Sequence, residues 1–229
     1  MLGLLFLLLG GLLQGQERPD AGQVAFVRMV NLVSPGEGNL KIEIDGEDPW
    51  PVGYRLGQRT GGVGMKAGQR KFVMRKKGCL TAKREIDLVG GKTITLAIYA
   101  EAVVDEETGK PLLDVAGKVA HWQIKVAQLS QVDPGGDFHL TFVSFCPEES
   151  LDVEVRPAKA ESFFVVARRR QAIKRKFASE RERVAIVHED KVLNVLKGRN
   201  KGNYVVMIYE GEEGKEALSF YDPKFVLAH

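Results

Sequence analysis

The sequence predicts an all-β protein made of two tandem antiparallel β-sandwich modules related by internal duplication. Three observations lead there. Apolar and polar residues alternate with period two in many short runs, the pattern of strands with one face in a core and the other in water. Gly, Pro, Asn and Asp punctuate those runs at close intervals. Leu40-Lys41-Ile42-Glu43-Ile44-Asp45-Gly46 has an echo at Leu151-Asp152-Val153-Glu154-Val155-Arg156-Pro157, and about 50 residues after each comes a second matching pair, Thr93 to Tyr99 and Asn203 to Tyr209.

The chain opens on Leu2 to Leu13, nine Leu or Phe and three Gly without a charge, and polarity returns abruptly at Gln14 to Asp20. Twelve apolar residues reach roughly 18 Å as a helix, short of the ~30 Å of a bilayer core. The run reads as the apolar region of a signal peptide spanning residues 1–16, although no Lys or Arg precedes it and no small-x-small pair closes it. A buried N-terminal strand or short helix is the alternative. The expected location is periplasmic or secreted, and the expected chain is not a transmembrane protein.

A first module is expected over residues 24–132. Val24 to Leu32 is rich in β-branched and apolar residues and is closed by Ser34-Pro35-Gly36. In Leu40 to Asp45 the apolar and charged residues take opposite faces of one strand. Gly53 to Gly68 lacks the Lys-Ser/Thr pair of a phosphate loop and reads as turns between short strands, with Tyr54, Val63 and Met65 pointing inward. Lys71 to Arg75 and Ala82 to Leu88 follow as strands, and Gly90-Gly91 then signals a hairpin into Thr93 to Tyr99. Val104 to Pro111 is polar and turn-rich; an edge hairpin there would use Leu112 to Val115, before Trp122 to Val126 resumes strand character.

Asp133-Pro134-Gly135-Gly136-Asp137 is the strongest break and marks the boundary to a second module over residues 138–229. Phe138 to Phe145 stands where the first strand stood, and Leu151 to Val155 where the second stood. Tyr54 to Phe72 and Val166 to Val184 are both 18 residues apart. Val184 to Val187, Val192 to Leu196 and the Lys201-Gly202-Asn203 turn complete the echo.

Chemistry is sparse. The formal net charge is +3, from 33 basic and 30 acidic residues, so bulk charge points to neither nucleic acid nor a membrane surface. The copies differ most over 168–176, where Arg168, Arg169, Arg170, Lys174, Arg175 and Lys176 crowd into nine positions. Clustered guanidinium groups suit carboxylate or phosphate, so this segment is the candidate binding site, for acidic polysaccharide, lipid phosphate or nucleic acid, of which nucleic acid fits an exported chain least. The competing reading is a solvated loop and edge strand whose charge blocks sheet-to-sheet association. His121, His139, His188 and His229 lack metal-site spacing, and those in strands read as satisfied or surface histidines. Cys79 and Cys146 either form one bridge or stay as unrelated thiols. Trp50, between Pro49 and Pro51, reads as packed rather than displayed. No nucleophile elbow, triad or calcium loop occurs, so the expectations are no catalytic residues, no metal and no cofactor.

Val27 to Leu32 followed by Leu40 to Gly46, then Tyr54, then Lys66-Ala67-Gly68 leading into Phe72 to Arg75, and later Gly91 to Leu96, resembles the DUF4397-type β-sandwich domains of bacterial secreted and surface proteins. The pattern is also similar in outline to the periplasmic accessory protein of alginate O-acetylation. The resemblance covers residues 24–101 and, faintly, the repeat; it implies an extracytoplasmic β-sandwich and transfers no site residues. The segment 168–183 departs from it. The function expected is that of an exported, non-catalytic envelope protein with a binding or structural role and an envelope protein or acidic glycan as partner. The alternative is a polyanion- or carbohydrate-binding accessory using 168–176.

Overall fold

The computed structural model describes residues 21–131, 137–177, 182–198 and 201–223. The expected leader and most of the 133–137 break lie outside the described residues.

Among the described residues are sixteen strands, one short 3-10 turn and no α-helix. The N-terminal half holds β1 (Val24–Leu32), β2 (Glu37–Ile44), β3 (Val63–Lys66), β4 (Gly68–Lys77), β5 (Cys79–Leu80), β6 (Ala82–Leu88), β7 (Thr93–Ala102) and β8 (Trp122–Ser130). The C-terminal half holds β9 (Phe138–Ser144), β10 (Ser150–Pro157), β11 (Phe163–Arg168), β12 (Ile173–Lys176), β13 (Arg183–His188), β14 (Lys191–Lys197), β15 (Gly202–Gly211) and β16 (Gly214–Asp222).

Each half is a two-sheet sandwich. In the first, β3-β1-β7-β8-β5 faces β2-β4-β6; in the second, β12-β9-β15-β16 faces β11-β10-β13-β14. Most pairings are antiparallel, as expected, but one sheet of each half is centred on a parallel pair, β1 with β7 and β9 with β15. A parallel neighbour needs a long crossover, and here the crossover contains the whole opposite sheet together with β3 and β5 in the first half and β12 in the second. The registers correspond as well. Phe26 lies opposite Thr93 and His139 opposite Asn203, while Asn31 Oδ1 and Ser144 Oγ each accept a hydrogen bond from the amide two residues on, at 2.9 and 3.2 Å.

Two cores fill the sandwiches. Val27, Met29, Leu40, Ile42, Phe72, Met74, Leu96 and Ile98 anchor the first, and Leu140, Phe142, Val153, Val155, Ile186, Val206 and Ile208 the second. A third cluster joins the halves: Val30, Leu32, Ala97 and Tyr99 from one pack with Val143, Phe145, Val205, Met207, Tyr209 and Phe220 from the other. The molecule is therefore a stack of four sheets, with β3-β1-β7-β8-β5 and β12-β9-β15-β16 inside. Their central strands are buried on both faces, which is why they read as near-continuous apolar runs rather than alternating ones.

Several local expectations change. The glycines at 90 and 91 do not close a hairpin, because β6 and β7 belong to different sheets. They turn a sheet-to-sheet corner, and a Cβ on Gly90 would sit 1.8 Å from the Gly22 carbonyl oxygen. Residues 103–121 form turns tied by the isolated bridges Val104–Pro111 and Leu113–Val119 instead of an edge hairpin. Leu113 and Val115 are exposed there, with no sheet to receive them. Tyr54 is buried as expected, but Val63 is 39 % exposed on the edge strand β3. Trp50 is 48 % exposed in its loop rather than packed. The pairing equates Tyr54 with Ala167 and Phe72 with Ile186, an interval one residue longer in the second half than in the first.

Candidate functional site

The basic segment is not one loop. Arg168 ends β11, an edge strand of the outer sheet; Lys174, Arg175 and Lys176 lie on β12, an edge strand of the inner sheet; Arg169 and Arg170 make the corner between them. The side chains are therefore divided. Lys176 pairs with Asp137 at 2.7 Å, and Lys174 and Arg175 stay on the exposed edge. Arg168 projects from the outer face of β11.

Arg169 and Arg170 turn toward the other half of the molecule. Arg169 Nη2 lies 2.9 Å and Arg170 Nη1 3.0 Å from the same oxygen, Oε1 of Glu101 at the end of β7. Backbone bonds fix that aim: the Arg169 amide donates to Glu149 O and the Arg170 amide to Ser144 O, both at 2.8 Å. Arg170 has a φ of 58°, a left-handed conformation that costs a non-glycine residue roughly 1–2 kcal/mol and is held by its surroundings. Burial pushes the Tyr99 phenol up, and Arg170 beside it partly offsets that rise.

This triad stands at one end of the seam between the two inner sheets, where β1, β7, β9 and β15 all reach their C-terminal ends. A cleft of about 680 Å³ opens there. Leu32, Phe145, Trp122, Val104, Pro111 and Val119 give it apolar walls, and the 103–121 excursion roofs it. On the far side of the arginines lies a second concavity of about 700 Å³, lined by Arg168, Gln171, Glu149 and Ser150. Pro147, Arg169 and Arg170 border both. Clefts at such junctions, apolar with a few convergent polar groups, are where small molecules bind most often.

Other titratable groups are engaged structurally. Cys146, Glu148 and Glu210 approach one another closely enough to suggest metal ligands. Lys215 already supplies the cation, with its Nζ 2.7 Å from Glu148 and 3.9 Å from Glu210. Burial, with Glu210 adding to it, pushes the Cys146 thiol up to about 12, far from a thiolate ligand. Cys79 and Cys146 are both free thiols. His188 satisfies Nδ1 on the Asp152 carbonyl at 2.8 Å and borders an open groove with Glu148, Asp152, Glu154 and Asp190.

His139 is neither satisfied nor on the surface. It is buried in the seam, and its Nδ1 has no hydrogen-bond partner among the described residues.

No protein-family model matches this chain, and no curated protein matches it in sequence.

The sequence singled out Arg169 and Arg170 but not Glu101, Trp122, Phe145 or Pro147. One signal was present: Glu101 is the single charge within the otherwise uncharged run from Thr93 to Val104. Nothing in the sequence said that this charge would meet a corner some 70 residues away.

Proposed function

We propose that the chain is an exported, non-catalytic component of a bacterial envelope that binds its ligand in the seam cleft. The observation that carries this reading is the cleft itself, an apolar-walled cavity at the junction of two sandwiches with two arginines and a glutamate converging on it. The apolar leader at Leu2 to Leu13 supports export. The strand-and-turn resemblance to secreted bacterial β-sandwich domains agrees with an extracytoplasmic accessory role.

Binding of the neutral apolar dye Nile red tests the seat. Fluorescence should rise with the wild-type protein and fall away in Gln123→Trp, which fills the cleft from β8, while thermal unfolding stays unchanged. A Gln123→Trp protein that binds the dye as well as wild type would remove the cleft from consideration.

A second reading, a polyanion surface along 168–176, is favoured by the exposure of Arg168, Lys174 and Arg175. It is weakened by the division of the basic residues between two edge strands and by the pairing of Arg169, Arg170 and Lys176. Salt-sensitive retention on heparin that survives Arg168→Ala with Arg175→Ala would rule that surface out.

A further inference from the structure

The two concavities differ in charge, and the difference has a direction. Around the outer one stand three arginines, Arg168, Arg169 and Arg170, against one carboxylate, Glu149. The seam cleft sets Arg169 and Arg170 against Glu101 and Glu210, so its charges balance and most of its remaining lining is apolar. A molecule lying across the shared border would place an uncharged, water-avoiding part inward and an anion outward.

The border has a further property. Both guanidinium groups converge on one oxygen of Glu101, whose side chain is largely buried. A guanidinium has five N–H donors, so this contact leaves donors on each arginine for a second acceptor. Glu101 thus holds both guanidinium groups against a single acceptor oxygen and competes with any incoming anion for them. That arrangement lowers affinity and raises selectivity, because a neutral or cationic head group would have nothing to gain from the arginines.

We propose that the cleft takes a single-chain acyl or alkyl anion, its chain in the seam between Leu32, Phe145 and Trp122 and its carboxylate or phosphate on Arg169 and Arg170 toward Arg168. The inference rests on the seam cleft being the binding seat. The volume agrees with it, since cavities of roughly 300–1,000 Å³ hold drug-sized ligands. A long polymer such as a glycan would instead need an open groove lined with polar groups.

Four decyl compounds, each below its micelle concentration, test the proposal by displacing Nile red from the full-length protein: decanoate, decyl phosphate, decyltrimethylammonium and decyl maltoside. The two anions should displace the dye at concentrations about tenfold or more below the other two, as charge-assisted hydrogen bonds to an arginine pair predict. Their order relative to each other separates a fatty carboxylate from a phosphorylated lipid head group. Arg169→Gln with Arg170→Gln should abolish the preference. Glu101→Gln should strengthen displacement by the anions several-fold and leave decyl maltoside unchanged, a result that a purely structural role for Glu101 would not produce.

Equal displacement by all four compounds would overturn the anion while leaving the cleft as the seat. Displacement by none, with dye binding still blocked by Gln123→Trp, would overturn the chain but not the seat. Dye binding indifferent to Gln123→Trp would overturn both.

Discussion

Arg28 and Asp222 hold the end of the seam opposite the cleft. Their charged atoms are 2.8 Å apart with side chains only 2 % and 5 % exposed. Arg28 also donates to Thr95 Oγ1 at 3.3 Å, and its guanidinium stacks on Phe220 with 4.6 Å to the ring centroid. A buried pair of this kind adds little over an apolar substitute, but breaking it strands a charge. Asp222→Ala is therefore expected to cost about 3–5 kcal/mol, and Arg28→Met with Asp222→Leu together far less. Urea unfolding with both variants measures this. A loss below about 1 kcal/mol for Asp222→Ala would mean that water reaches Arg28 and screens it.

At the scale of the strand, the period-two rule is most sharply drawn in β11, where Val165 is 1 % exposed and its neighbour Val166 is 47 % exposed. Phe164 projects beside Val166, 72 % exposed, and Glu154 and Asp152 stand opposite the two on β10. Val166→Lys should shift stability by no more than about 0.5 kcal/mol. Val165→Lys should unfold the C-terminal sandwich, because it drives an ammonium into the core beside Val153 and Ile186. Denaturation followed by circular dichroism distinguishes them, and comparable losses for both would mean that the register is wrong.

How much of this was legible depended on where each strand lies. Half-buried strands such as β2 and β10 announce themselves by alternation, and the long apolar runs of β1, β7, β9 and β15 by composition. The short edge strands β3 and β12 carry mostly exposed residues and leave no apolar stripe to read. The parallel pairing of β1 with β7 was hidden because turn residues at 90 and 91 look the same whether the chain returns to its own sheet or crosses to the other. For the same reason the arginines were visible and their partner Glu101 was not.

Across the whole molecule, the seam grades from polar to apolar. Arg28, Thr93, Thr95, His139, Thr141, Asn203 and Asp222 are buried toward one end, and Val30, Leu32, Tyr99, Val143, Phe145 and Tyr209 toward the other. His139 is the member of the polar group that titrates near neutrality. Burial first, and then Lys174 and Lys176 on β12, lower its pKa from 6.5, while Asp137 opposes them. With the folded value depressed, the unfolded chain binds the proton more readily. Stability is therefore highest above pH 6.5 and falls as pH drops through 6.5 toward the folded value. Asp45, Asp105 and Asp137, lowered from 3.8 by hydrogen bonds or a nearby lysine, and Glu154, lowered from 4.5 by Arg156, act in a separate and more acid window. A thermal-unfolding midpoint that declines between pH 7 and 5, and a flatter profile for His139→Gln, are the expected results. An identical slope in His139→Gln would place the titration elsewhere.

The parallel pairs at the heart of each inner sheet also dictate an order of events when the chain first folds. Until β7 exists β1 can pair only with the edge strand β3, and until β15 exists β9 only with the edge strand β12, because most of the strands in between build the opposite sheet. Contacts that close over so long a stretch come late and slowly. Until they do, β1 and β9 keep open the strand edge that awaits a parallel partner and the apolar face that later lines the seam, so a chain that emerges residue by residue spends its longest wait with its stickiest segments uncovered.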